Sequence, residues 1–201
     1  MTLYCATGNP GKLREFQLAA SQAHISVETA PGLANIPACE ETGRTFEENA
    51  VLKAKYYGPL APGLLFADDS GLEVDALGGA PGVHSARFAG PYASDDANNQ
   101  LLLERMHSVR DRSARFVCVI ALVDDARVLG MFRGVVEGEI LEEERGANGF
   151  GYDPLFYYPP FGCTLAEAAA DRKLQVSHRG QALRELWRAA AVIGDSQRLI
   201  R

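Results

Sequence analysis

The sequence predicts an α/β fold built on a mixed sheet, and three observations carry that expectation. Short apolar stretches alternate along the chain with segments whose apolar residues recur at the three-to-four spacing of a helix. Thr45 and Thr164 each precede a Glu by three residues, the capping-box signature of a helix start. Residues 115–123 and 127–140 read as longer strands parted only by a short break at Asp124-Asp125, the sign of a hairpin. Alternating strands and helices favour parallel pairing, whereas a hairpin is antiparallel, so the sheet is expected to be mixed.

The elements follow in order. Residues 2–7 read as a strand, and Gly8-Asn9-Pro10-Gly11 as a turn. Residues 12–23 carry Leu13, Phe16 and Ala20 at helical spacing, and residues 25–28 look like a second short strand. Pro31, Gly32, Pro37 and Gly43 mark residues 30–44 as loop. The box at Thr45 opens a helix through Tyr57, closed by Gly58 and Pro59. Residues 64–67 and 72–74 read as two short strands around an Asp-Asp turn, and residues 78–82 as a break. Ser94 is placed to cap a helix reaching His107. After the hairpin, residues 148–151 form a loop before a short strand at 155–157. The box at Thr164 marks another helix start, and Ser177 caps a last helix running to about Ile193.

A chain of 201 residues suits one domain, or one domain with two lobes, and can bury a sizeable core. Its net charge of -6 and pI near 5.3 argue against binding the phosphate backbone of long nucleic acids, while leaving room for a local basic pocket around one phosphorylated ligand. Cys5, Cys39, Cys118 and Cys163 lack metal-ligand spacing and read as reduced thiols. The first residues lack the basic start and long apolar region of a signal peptide. The longest apolar run, residues 116–123, is too short to span a membrane. A cytoplasmic protein without membrane or nucleic-acid partners is expected.

The stretch Ala67-Asp68-Asp69-Ser70-Gly71-Leu72 is the most informative in the chain. Neighbouring strand residues point to opposite faces, so Asp68 and Asp69 cannot share one exposed side of a regular strand. Either at least one of them is aimed at something that favours negative charge, or the strand has ended in a turn. Thr7-Gly8-Asn9-Pro10-Gly11-Lys12 lies between a strand and a helix, where backbone N–H groups, the helix N-terminus and Lys12 together favour an anion. The Gly-x-x-x-x-Gly-Lys-Ser/Thr spacing is absent, so this is not a P-loop. Glu40 and Glu41, with Asp68 and Asp69, are oxygen donors suited to a hard cation such as Mg²⁺. Phe150-Gly151-Tyr152-Asp153 joins an aromatic ring able to stack on a base with a carboxylate able to accept base N–H groups. Lys173, Ser177, His178 and Arg179 form a second cationic group. Each segment also fits ordinary turn, loop or helix-surface chemistry by itself. His24, His84 and His107 have no partner pattern, and nothing supports a nucleophilic Ser or Cys. The sum favours metal-assisted chemistry on a phosphorylated ligand.

Six segments, in order, resemble the inosine triphosphate pyrophosphatase family, which hydrolyses deaminated purine nucleotides. They are Ala6-Thr7-Gly8-Asn9-Pro10-Gly11-Lys12, residues 41–50, Ala67-Asp68-Asp69-Ser70-Gly71-Leu72, residues 77–82 with Ser85-Ala86-Arg87, residues 149–154, and residues 177–183. Each is weak singly, whereas six in order across nearly the whole chain are specific. The resemblance implies one domain over residues 1–201, with an elongated mixed β-sheet flanked by helices and two lobes around a central substrate cleft. It also implies Mg²⁺ dependence, a homodimer, and cleavage of ITP, dITP or XTP to nucleoside monophosphate and pyrophosphate. By motif, Thr7, Gly8, Asn9, Pro10, Gly11, Lys12 and Lys53 would hold the triphosphate, and Ser70 would touch substrate. Asp69 would be the catalytic acid-base residue and a metal ligand, joined at the metal by Asp68 and by Glu40 or Glu41. Phe150, Gly151, Tyr152, Asp153, Lys173, His178 and Arg179 would surround the base and sugar-phosphate. Two alternatives are a Maf-type pyrophosphatase acting on modified pyrimidine nucleotides and a nucleotide-binding module without turnover. The Ser177-His178-Arg179 segment argues against the first, and the paired acids beside a phosphate site argue against the second.

Overall fold

The computed structural model describes residues 2–198, with side chains described to residue 193. Among the described residues, seven strands and five α-helices appear in the order β1 (Thr2–Cys5), α1 (Pro10–Gln22), β2 (Ser26–Thr29), α2 (Phe46–Tyr57), β3 (Leu65–Val74), α3 (Asp95–Arg105), β4 (Ser113–Asp124), β5 (Arg127–Ile140), β6 (Phe156–Tyr158), β7 (Cys163–Thr164), α4 (Ala170–Val176) and α5 (His178–Arg198). The strands form one sheet in the order β2-β1-β3-β4-β5-β6-β7. β1 pairs parallel with β2 and β3, while β6 pairs antiparallel with β5 and β7, so the sheet is mixed as expected. β4 and β5 are sheet neighbours joined by Asp125-Ala126, and a two-residue link returns the chain as a hairpin. Asp125 takes a left-handed φ of 55° in this turn, a conformation Asp tolerates better than most residues.

Three corrections concern local chemistry. The expected pair of short strands around an Asp-Asp turn is one continuous strand, β3, ten residues long. Its residues 65–69 are all buried, so both faces are covered and the apolar run does not alternate. Ser70-Gly71 stays extended instead of turning. The Ser85 hydroxyl accepts from the Leu72 N–H at 2.8 Å, and a Cβ on Gly71 would lie 2.3 Å from that oxygen and 2.5 Å from the Gly82 carbonyl. Glycine is present there because another backbone segment approaches closely.

The second correction is at Thr164. Its hydroxyl accepts from the Glu167 N–H at 3.2 Å and the Glu167 carboxylate accepts from the Thr164 N–H at 2.8 Å, so both capping-box bonds form. No helix follows directly; α4 begins only at Ala170. A reciprocal side-chain bond closes a turn equally well, and periodicity decides whether a helix continues. At Thr45 the box does open a helix: its hydroxyl accepts from the Glu48 N–H at 3.1 Å, and Glu48 reaches back to the Arg44 N–H at 2.6 Å. The first helix starts at Pro10 rather than Lys12, because Asn9 caps it through the Lys12 N–H at 3.0 Å and Pro is favoured in the first turn.

The chain forms two compact units. The first comprises residues 1–69, 118–134 and 179–201. Its core includes Phe66 of β3, with the Phe16 ring of α1 at 5.1 Å and Trp187 of α5 at 5.9 Å, both edge-on. The second unit comprises residues 70–117 and 135–178. There Leu102 and Met106 of α3 pack in a buried cluster with Leu72, Phe116, Ile140, Tyr152, Leu155 and Phe156. Among the described residues, no helix is long and apolar enough to cross a membrane.

Candidate active site

In the first unit, β3 delivers Asp68 and Asp69 to two different sets of cations, as strand geometry requires of neighbours. The Asp68 carboxylate lies 2.9 Å from the Lys12 ammonium and 3.8 Å from the Arg179 guanidinium. Arg179, the second residue of α5, is itself paired with Glu15 of α1. Asp69 faces α2: its Oδ1 lies 2.9 Å from Lys53 Nζ and its Oδ2 accepts from Asn49 Nδ2 at 3.1 Å. Lys53 also reaches Glu41 Oε1 at 3.0 Å. Asn49 and Lys53 are one helical turn apart, which puts both on the face of α2 that meets Asp69. The Asn49 carbonyl oxygen accepts from the Gly43 N–H at 2.8 Å, fixing which end of the amide meets the carboxylate.

The two carboxylates differ electrically. Burial alone would raise the Asp68 pKa, but Lys12, Arg179 and Lys53 together outweigh it and bring it down to about 2. Burial dominates at Asp69 and raises its pKa, with Lys53 opposing and Glu41 assisting. Burial likewise disfavours the charge on Lys53, yet Asp69, Asp68 and Glu41 hold its pKa above the ordinary lysine value. The site thus contains a firmly ionised Asp68, a more basic Asp69 and a permanently charged Lys53.

Thr7 and Asn9 shape the turn that leads into α1. The Asn9 N–H donates to Thr7 Oγ1 at 3.1 Å, and Gly8 and Pro10 are exposed while Gly11 is buried at the start of α1. Glu41 joins the acidic group through Lys53, whereas Glu40 is exposed and makes no such contact among the described residues. Ser70, the next residue of β3, is half-buried.

In the second unit, the Phe150 N–H donates to Asp153 Oδ2 at 2.9 Å, and Lys173 pairs with the same oxygen. The Lys173 ammonium stands 5.1 Å from the Phe150 ring centroid, a cation–π distance. The Tyr152 hydroxyl donates to the Ser85 carbonyl at 2.8 Å, so this ring is a buried brace. His178 stacks on Phe116 with centroids 4.8 Å apart and planes 14° from parallel. The predicted base-side residues Phe150, Gly151, Tyr152, Asp153, Lys173 and His178 all fall in this unit. Arg179 falls in the first unit, beside Asp68.

Glu15 and Asn49 hold site residues and were not singled out by the sequence. A signal existed for both: Glu15 follows Lys12 by three residues on α1, and Asn49 precedes Lys53 by four on α2, so each shares a helix face with a predicted residue. Neither residue type alone marks a buried position.

Among the described residues, no cluster of three or more His, Cys, Asp and Glu side chains is gathered as a metal site. The donor set nonetheless suits Mg²⁺. Glu41 and Asp69 both lie within 3.0 Å of one cationic nitrogen, so two carboxylates already share a cation. Mg²⁺ commonly uses one or two carboxylates and completes its shell with water and substrate phosphates.

The chain belongs to the Ham1 family, whose model matches residues 3–189. Among similar proteins is a dITP/XTP pyrophosphatase of Acidobacterium capsulatum, 51% identical over 195 residues that cover 92% of this chain and 96% of the relative. Another of that name, from an Exiguobacterium species, is 50% identical over 186 residues, covering 92% and 95%. The solved structure of the Staphylococcus aureus Ham1 protein superposes with a TM-score of 0.82 at 41% identity, covering 97% of this chain and all of that one (100%). A HAM1 protein from Coxiella burnetii gives 0.84 at 42% identity, covering 95% and 98%.

Proposed function

We propose that this protein is a Mg²⁺-dependent nucleoside triphosphate pyrophosphatase that cleaves deaminated purine nucleotides, ITP, dITP and XTP, to nucleoside monophosphate and pyrophosphate. The observation that carries the reading is β3: adjacent buried carboxylates on opposite faces, each facing a lysine that begins or lines a helix. Buried acids with different proton affinities separate a charge-holding role from a proton-accepting one. The names of the relatives support the same substrate class.

In this reading, Lys12, the turn at residues 7–11 and Lys53 hold the triphosphate. Asp68 stays ionised and orients Lys12 and Arg179. Asp69, whose pKa is raised by burial, takes the proton of the attacking water. The water oxygen bonds to the α-phosphorus, the bond from that phosphorus to the α–β bridging oxygen breaks, and pyrophosphate leaves. Mg²⁺ held by Asp69 and Glu41, with Asp68 nearby, would supply charge neutralisation on the leaving group and a more acidic water. Asn49 orients Asp69 throughout. In the second unit, Phe150 offers a ring face for the purine, while Asp153, Lys173 and His178 offer hydrogen-bonding groups. Arg179 is better suited, by its partners Glu15 and Asp68, to the charged end of the nucleotide than to the base.

The reading includes cytoplasmic action as a homodimer. The exposed apolar side chains of Leu52, Tyr56 and Met131 are material for a contact between copies, and size-exclusion chromatography with light scattering measures it. The central test is pyrophosphate release from ITP with and without Mg²⁺. Metal-dependent release supports the reading. Release from modified pyrimidine nucleotides instead would indicate Maf-type chemistry, and binding without release a nucleotide-binding module.

A further inference from the structure

We infer that Asp95 and Asn99 of α3 are positioning residues for the base-binding loop: together they hold the Gly151 peptide and thereby fix the Phe150 ring for the purine. The inference rests on the function proposed for this site. Asp95 and Asn99 are one turn apart and share a helix face. Asp95 Oδ2 accepts from the Gly151 N–H at 2.7 Å, and Asn99 Nδ2 donates to the Gly151 carbonyl at 3.2 Å. Both polar groups of a single loop residue are therefore held by one helix.

Gly151 is where the loop most needs restraint. Its φ is +62°, a left-handed conformation that glycine enters and leaves freely. On the other side, the Phe150 N–H is held by Asp153 at 2.9 Å. The backbone of Phe150 is thus fixed at both ends, which orders the ring before a base arrives and lowers the entropy cost of stacking. The helix that does the holding is itself anchored: Ser94 caps it through the Ala97 N–H at 3.1 Å, and Asn98 accepts from the Ala89 N–H at 2.8 Å. Asn99 is 2% exposed, and its side-chain carbonyl oxygen finds no hydrogen-bond partner among the described residues. An apolar residue would pack there at lower cost, so the amide is explained by its bond to Gly151. Asp95 is exposed and needed by no core contact, which makes it the cleaner site to change.

Steady-state kinetics of pyrophosphate release from ITP test the inference. Asp95→Ala is expected to raise KM about five- to tenfold, the equivalent of one net hydrogen bond, with kcat within about twofold. Asp95→Asn keeps an acceptor oxygen and restores most of the loss. Asp96→Ala removes the neighbouring first-turn acid and leaves KM unchanged, which separates the loop contact from a helix-dipole effect. In a Phe150→Ala background, Asp95→Ala adds nothing further, because the residue acts through that ring. An unchanged KM in Asp95→Ala, an equal rise in Asp96→Ala, or full additivity with Phe150→Ala overturns the inference while leaving the proposed function standing. Failure of the unmodified chain to release pyrophosphate from ITP overturns both.

Discussion

Asp68 and Asp69 are adjacent in sequence and opposite in electrostatic behaviour, so single-residue changes separate their roles. Asp69→Asn removes the proton acceptor while nearly keeping the shape of the side chain; its amide nitrogen only donates, so one of the two bonds from Lys53 and Asn49 is lost. Turnover of ITP is expected to fall at least on the order of 10²-fold with the circular dichroism spectrum unchanged; near-normal kcat in the folded variant contradicts its assignment. Asp68 is best probed by pH. Its native pKa of about 2 lies below the ordinary 3.8, so the unfolded chain binds its proton more readily. The stability it contributes is therefore present above the unfolded pKa and lost as pH falls through the native one. A shift of this size corresponds to about 2 kcal/mol. Denaturant unfolding between about pH 6 and pH 2 should show a shallower acid-side loss in Asp68→Asn than in the unmodified protein, and parallel curves would remove Asp68 from the account.

β3 and α2 act as the holders of the site. The strand keeps both acids in place because it continues through Ser70-Gly71 instead of turning, and Gly71 allows Ser85 and Gly82 to approach. A methyl group there meets the Ser85 hydroxyl and the Gly82 carbonyl. Gly71→Ala is expected to destabilise the protein by about 1–3 kcal/mol or more, read by chemical denaturation. A neutral result would mean that the backbone of residues 82–85 yields freely. α2 contributes by spacing: Asn49 and Lys53 meet Asp69 from successive turns, and the Glu48 side chain is used at the helix start, where it accepts from Arg44.

At the scale of the whole molecule, the two buried acids Asp68 and Asp69 are paired with Lys12, Lys53 and Arg179 within the chain. Their burial does not depend on a metal for charge balance. Chelation with EDTA is therefore expected to abolish turnover while shifting Tm by no more than a few degrees; cooperative unfolding on chelation would mark a structural metal instead. Base choice is also a property of the complete protein. Hypoxanthine and xanthine present an oxygen at the position where adenine presents an amino group. In the proposed reading, donors such as Lys173 and His178 would pair with that oxygen, whereas an amino group would leave them facing another donor at a cost of roughly 1–3 kcal/mol per unpaired group. ITP and XTP should exceed ATP in kcat/KM by about 10²-fold or more, and ATP as the preferred substrate would sink the proposed function.

Composition, periodicity and caps determined the fold class and most elements, because these are local properties of the chain. The hairpin at residues 124–127, the helix opened by Thr45 and the helix that follows Asn9 were legible for that reason. The segments proposed for the site stood out as a set, although each paired acid, glycine turn or helix-start lysine by itself also fits ordinary turn or surface chemistry. Local signals were insufficient at Asp68-Asp69-Ser70-Gly71, where turn-forming residues sit inside a buried strand held by contacts from elsewhere. The same was true at Thr164, where a complete set of capping bonds closes a turn with no helix behind it. Only the tertiary structure decided that Arg179 pairs with Glu15 and Asp68 and that Glu41, not Glu40, reaches Lys53. Those pairings join residues far apart in sequence. What selects them is the cost of leaving a charge buried without a partner, and that cost exists only once the chain has folded.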